Sequence, residues 1–441
     1  MRRCVEFFIE NPELFAENLV FYITECNNGV MLRGGSNSCN GESCPSSKFG
    51  LIASVGEINS IKLNTASFDA LEVLLKQTKD WLLGYFSYDL KNELEDLHSA
   101  NIDGLGFPDL FFFQPELLLT IEFNKLSVHY FESITSTDKI DWLIRNLCSN
   151  RASSEIKPNG ISFKSRYSRQ EYLNTIMQVK RHIARGDIYE MNLCQEFYAE
   201  NCEINPASTF NDLYKTSPTP FAAFVKVGYR YLMSASPERY IKKDGNLIVS
   251  QPIKGTAPRG LNPEEDEKSK RLLANDPKER AENIMIVDLV RNDLSKVASC
   301  GSVRVTELCG IYSFPQVHQM VSTVTCRLQP NLSPVDPIKA TFPMGSMTGA
   351  PKVRAMQLIE EFERTKRGLF SGAVGYFSPD GDFDFNVVIR SLLYNQKSKY
   401  LSFTVGGAIT FSSDPEKEYA ECLLKAKAIL TTLNATINNA G

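Results

Sequence analysis

No stretch of about 18 uninterrupted apolar residues occurs in this 441-residue chain, so nothing in it reads as a membrane-spanning helix. The first segment, MRRCVEFFIENPELFAENLVFYITE, carries two arginines, but Glu6, Glu10 and Glu17 break up its apolar residues, which argues against a secretory signal. No CxxC pair exists among eleven scattered cysteines. That odd, unpatterned set counts against zinc and thioredoxin-like sites and favours reduced thiols in a cytoplasmic protein. Charge is also short on one-sidedness: 48 Lys and Arg face 52 Asp and Glu, a net charge of -4. Such a balance gives no electrostatic drive toward nucleic acid or a membrane surface. No internal repeat is visible. What is present is an ordinary globular composition, 43% hydrophobic and 23% charged, long enough for two or three domains.

Along the chain, residues 1–150 read as mixed strands and helices, with a Gly/Ser-rich stretch at 32–50 expected as an exposed loop. A polar stretch around 150–160 is the one plausible linker, between either two domains or two halves of one integrated fold. From Tyr167 the pattern sharpens. SRQEYLNTIMQVKRHIARGD has Tyr172, Ile176, Val179 and Ile183 on one face and Gly186 as its stop, which predicts a helix. Strands are expected at PFAAFVKVG, RYLMSASPERYIKK and GNLIVSQPIKG, and helices at 263–275 and 277–292. A helix is expected over PKVRAMQLIEEFERTKRG, with Pro351 near its first turn and Gly368 at its end. Strands at GAVGYFS, FNVVIRSLLYN and YLSFTVGGAITF and a helix at DPEKEYAECLLKAKAIL follow. Hairpin-linked strand groups with helices between them predict an α+β fold with antiparallel sheets.

Several stretches could carry chemistry. GSMTGAPK (345–352) lacks the Gly-Lys-Ser/Thr of a phosphate loop, but a Gly-rich turn feeding a helix can hold a carboxylate; tight packing is the alternative. Glu282 opens an almost wholly apolar helical run, where a carboxylate is costly unless paired or metal-bound. Glu418 and Glu421 share one helix face, as hard oxygen ligands suited to Mg²⁺ or as members of a Glu/Lys surface helix. Arg390, in an apolar strand near Gly406-Gly407, suits a small carboxylate or an internal acid. Glu238 reads as a general acid or as the partner of Arg239. Lys254, in QPIKGTAPRG, sits where a strand ends and the backbone bends, either as a solvated loop lysine or as something sharper.

Together these motifs, with GDIYEMNLCQEF and VVIRSL, resemble the chorismate-utilising enzyme family of anthranilate, aminodeoxychorismate, isochorismate and salicylate synthases. The resemblance covers 165–430 as the chorismate-binding half, and WLLGYFSYDLKNE (81–93) looks like the family's variable N-terminal half. It implies two large antiparallel sheets packed face to face with helices outside, and chorismate in a deep cleft. It further implies Mg²⁺ held by Glu282 and Glu421 with Glu418 close by. The ring carboxylate would be met by Lys425, Ser346 and the Gly406-Gly407 amides, with Thr256 also binding substrate. Arg390 would grip the enolpyruvyl carboxylate, and Glu238 would serve as general acid or base near the C4 hydroxyl.

Within the family the lysine of PIKGT matches aminodeoxychorismate synthases, whereas anthranilate synthases typically have alanine there. The implied role is attack by Lys254 on C2 of chorismate, then displacement by ammonia at C4, with burial near Arg259 and Mg²⁺ depressing the lysine's pKa. Three positions depart from the family. Gln319 replaces a histidine linked to pyruvate elimination, Phe370 replaces a polar aromatic residue, and Glu190 replaces a glutamine at the site where isochorismate synthases carry a lysine. No amidotransferase domain is recognisable, so a separate glutamine amidotransferase subunit is expected to feed ammonia. No motif of tryptophan-inhibited relatives is visible.

Overall fold

The computed structural model describes residues 2–34, 47–149 and 160–438. Most of the expected 32–50 loop and nearly all of the 150–160 linker lie outside them. Two 13-residue strands, Leu51–Leu63 and Leu110–Glu122, pair antiparallel and form the junction of the molecule. The far edge of Leu110–Glu122 is divided: its first residues pair with Leu82–Phe86 and its last with Lys125–Tyr130.

Two sheets grow from that division. One runs from Leu51–Leu63 through Asn28–Arg33, Phe221–Val227, Arg230–Ser236, Ser391–Asn395, Tyr400–Ile409 and Glu190–Ala199 to Ser162–Ser165. The other runs from Leu82–Phe86 through Ala373–Phe377, Phe383–Val387, Arg239–Asp244 and Leu247–Gln251 to Val317–Arg327. There Ile253–Pro258 and Arg304–Ser313 join it. The pairings Asn28–Arg33 with Phe221–Val227, and Leu82–Phe86 with Ala373–Phe377, tie the first 150 residues to the rest. Among the described strands, one pairing departs from the expected antiparallel sheets: Thr436–Asn438 lies parallel to Ser162–Ser165.

Strand periodicity assigns the layers. Leu51, Ala53, Val55, Tyr231 and Met233 face a core shared with helices Arg169–Arg185, Pro206–Thr216, Lys352–Phe362 and Pro415–Leu433. Their neighbours Ile52 and Leu232 face a second core, where Val30 and Leu393 of one sheet meet Phe86, Phe377 and Phe385 of the other. Helix Pro277–Ser295 sends Ile286, Val287, Val290 and Leu294 into that second core. This is the α+β arrangement of two sheets with helices outside.

Three expected elements end elsewhere, each for a local reason. RYLMSASPERYIKK is two strands, Arg230–Ser236 and Arg239–Asp244, because Pro237 lacks the N–H a ladder needs. FNVVIRSLLYN breaks between Val387 and Ser391, where Arg390 holds a left-handed φ of 50°. The helix expected to reach Gly368 stops at Phe362, because Glu363 turns extended and its buried carboxylate accepts from the Cys194 amide and pairs with Arg367.

Candidate active site

Lys254 owes its direction to a β-bulge. Ile253 pairs with Val321 and Thr256 with Gln319, so Lys254 and Gly255 together oppose a single residue and the side chain is re-aimed. Gly255 sits at φ 96°, and a Cβ there would meet Glu279 Oε2 and Met320 Cβ at 3.1 Å each. Asn283 pins the bulge by donating to the Lys254 and Met320 carbonyls, both at 3.3 Å. The Lys254 ammonium then donates to Glu190 Oε1 at 2.9 Å. It is not a solvated loop lysine.

The protonation of Lys254 is the reverse of the expectation. Burial pushes its pKa down, but Glu190, Glu282 and Glu238 outweigh it and hold the amine above its ordinary range. Arg259, expected beside it, is engaged instead by Asp266 and the Phe314 carbonyl.

Glu238 lies in the interruption between two strands and is buried. Burial pushes its carboxyl up to about 7, against the pull of the Ser346 hydroxyl, Lys254, the Ile253 amide and Arg390. Arg239 is not its partner, being bound by Asp384 at 2.9 Å. A cavity of about 20 Å³, room for one water, is bordered by Glu238, Ser250, Pro252 and Ser346. Ser346 sits in the short turn Gly345–Met347; its buried hydroxyl lies near Glu238 without the geometry of a formed hydrogen bond. Arg390 is half-buried, and no carboxylate among the described residues forms an ion pair with it. Burial lowers its pKa, with Glu238 opposing. A half-buried guanidinium without an ion pair, on a strained backbone, can receive an anion.

Carboxylates gather from two helices that both begin Asp-Pro, with Asp276 and Asp414 as caps. Glu282 and Glu418 are buried, and Glu421 is exposed. Lys278, which sequence reasoning missed, stands between them: its ammonium donates to Glu418 at 3.1 Å and lies 3.7 Å from Glu282 Oε1. The Lys278–Glu282 i,i+4 spacing was the available signal. Burial pushes Glu282 up to about 7, and its Oε1 accepts no hydrogen bond. Lys278 feels the opposite balance: burial lowers its pKa, but Glu418 and Glu282 carry it up to about 12. For Glu421, burial is overcome by Lys425, 2.9 Å away, and its pKa falls. Among the described residues, no three side chains form a ready metal cage; Lys278 and Lys425 occupy the cationic places. The donor set is all oxygen, and an orphaned buried carboxylate oxygen fits a hard divalent cation.

Lys425 also donates to the Gly406 carbonyl at 2.8 Å, so that peptide faces away from strand Glu190–Ala199. The Gly406 amide turns the same way, toward the open edge of Tyr400–Ile409, while Gly407 pairs into the ladder opposite Leu193. A Cβ on Gly407 would lie 3.4 Å from Glu418 Oε2. Thr256 is exposed, in register with Gln319, and no contact joins it to the other candidates.

The other positions that depart from the family, and the histidine next to one of them, lie in the packed interior. His318 is fully buried between Ser313 and Asp266, at 2.8 and 3.1 Å. Gln319 is buried with its side-chain oxygen unpartnered, and Phe370 is part of the inter-sheet core. The GSMTGAPK turn is built for packing at Gly349, where φ is 152° and a Cβ would lie 2.2 Å from the Glu190 carbonyl.

Residues 49–431 match the chorismate binding enzyme family. Aminodeoxychorismate synthase component 1 of Salmonella typhimurium is 39% identical over 352 residues, covering 80% of this chain and 76% of the relative. Anthranilate synthase component 1 of Thermus thermophilus is 34% identical over 355 residues, covering 79% of this chain and 76% of the relative. The crystal structure of anthranilate synthase component I from Streptococcus pneumoniae TIGR4 superposes with a TM-score of 0.76 at 27% identity, covering 90% of this chain and 94% of that one.

Proposed function

Within the chorismate-binding enzyme family, to which this chain belongs, we propose that it is the large subunit of an aminodeoxychorismate synthase. It converts chorismate and ammonia to 4-amino-4-deoxychorismate, for p-aminobenzoate and folate synthesis. The observation that carries this reading is Lys254, turned by a bulge into a cluster of carboxylates beside Glu238. A loop lysine without a chemical task would not be held so.

Lys254, as the free amine, attacks C2 of chorismate; the C2–N bond forms, both ring double bonds shift and the C4–O bond breaks. Glu238, neutral to about pH 7, gives its proton to the departing hydroxyl, which leaves as water. Ammonia then attacks C4, the C2–N bond breaks, and the lysine is released as an amine. Arg390 holds the enolpyruvyl carboxylate, while Lys425, Ser346 and the Gly406 amide serve the ring carboxylate. Glu282 and Glu421, with Glu418 beside them, would hold Mg²⁺ as Lys278 yields its place. The ion would supply positive charge to the ring carboxylate and so fix the ring.

The test is product identity. Chorismate, Mg²⁺ and an ammonium salt should yield 4-amino-4-deoxychorismate, and Lys254→Ala should lose amination. Fluorescent anthranilate would overturn the reading in favour of an anthranilate synthase, and absence of turnover in favour of a binding subunit.

A further inference from the structure

Lys254 presents a difficulty for its own proposed task. It must attack as a free amine, yet three carboxylates hold it as an ammonium. One group in the site is placed to take the surplus proton. Glu190 Oε1 accepts from the Lys254 ammonium at 2.9 Å, and a general base must first be within that reach. Glu190 is 1% exposed, and its second oxygen accepts no hydrogen bond among the described residues.

The backbone around Glu190 is fixed as a catalytic group requires. Glu190 pairs with Ala350, the Tyr189 amide donates to the Ala350 carbonyl at 2.7 Å, and the Asn192 amide donates to Thr348 at 2.8 Å. Gly349 lets the turn approach the Glu190 carbonyl as no larger residue could.

We propose that Glu190 is the proton acceptor for Lys254, and that the glutamate at this position is a working part of the nucleophile. The proton moves from Lys254 Nζ to Glu190 Oε1 as the C2–N bond forms. It returns to the lysine when ammonia breaks that bond, so no proton is gained or lost at the pair over a cycle. The other charges facing Lys254 have different places. Glu238 lies at the strand break, Glu282 and Lys278 belong to the metal cluster, Glu279 lies behind Gly255, and Glu421 is engaged by Lys425.

The inference rests on the lysine mechanism, and the test separates the two. Full-length chain is mixed rapidly with chorismate and Mg²⁺ without ammonia, quenched, and weighed for an adduct of chorismate minus water. Wild type should form it on Lys254. Glu190→Gln should form it about 100-fold more slowly at pH 7, in line with the loss of one general base. Its deficit should close as pH rises and solvent deprotonates the amine, and Glu190→Asp should recover part of the rate. A carboxylate that merely kept the lysine charged would give the opposite sign, because its removal frees the amine. Adduct formation by Glu190→Gln at the wild-type rate or faster therefore overturns the inference while leaving the lysine mechanism standing. So does a deficit unchanged at every pH, or a lowered unfolding midpoint with no recovery in Glu190→Asp. No adduct in wild type, or an adduct on another residue, overturns both.

Discussion

At Glu238 and Glu282, burial outweighs the neighbouring cations and holds both carboxyls near pH 7. In the unfolded chain the same groups release their protons near pH 4.5. Between these values the folded chain holds protons that the unfolded chain has lost, so stability falls as pH rises. The slope is at most about 1.4 kcal/mol per pH unit for each group, and it levels off above about 7. The unfolding midpoint of the metal-free chain should decline across that window, and Glu238→Gln should decline less steeply than wild type. Equal slopes in the two proteins would show that Glu238 does not titrate there. Glu421 differs in kind: it is exposed and held low by Lys425, ready as an anion. Glu421→Gln should abolish turnover across a Mg²⁺ titration while leaving the fold intact. Full activity at ordinary Mg²⁺ would remove it from the proposed ligand set.

The elements that matter most are the interrupted ones. Each stretch that reads as one strand but is two puts a functional candidate at or beside the break: Glu238 after Pro237, Lys254 at the bulge two residues past Pro252, and Arg390 at its left-handed φ. A regular strand would have sent these side chains to one face or the other in strict alternation. Gly349 braces the backbone of Glu190, and Gly186 is its useful control. Gly186 ends helix Arg169–Arg185 at φ 84° with open space around it. Gly186→Ala should cost about 1–2 kcal/mol of stability with turnover unchanged. Gly349→Ala meets backbone at 2.2 Å and should cost more, by thermal unfolding, and should lose most of the activity. Wild-type activity in Gly349→Ala would mean that the turn does not position Glu190.

At the scale of the molecule, the candidate residues come from both sheets and three helical regions, so the proposed chemistry needs the whole fold. Ammonia remains to be supplied, and the proposed source is a separate glutaminase subunit. The isolated chain should therefore aminate chorismate with ammonium salts at alkaline pH, where free NH₃ is appreciable, and not with glutamine. Glutamine-dependent turnover by the purified chain alone, with trace glutaminase excluded, would sink that division of labour. Among the described residues no helix is long and apolar enough to cross a membrane.

The sequence alone was enough for the α+β class, the helix that Gly186 stops, and the candidate residues Lys254, Glu238, Glu282, Glu418, Glu421 and Arg390. Those are local facts: caps, periodicity and an unusual residue in an apolar run. What tertiary structure decided is everything that depends on which groups meet. Glu190 is 64 residues from Lys254 in sequence, and only the 2.9 Å contact explains an otherwise odd glutamate. Lys278 and Glu418 lie 140 residues apart and meet because two capped helices converge. The protonation of Lys254 was misjudged from sequence, because burial alone would lower it. The sum over Glu190, Glu282 and Glu238, drawn from three separate elements, reverses the sign.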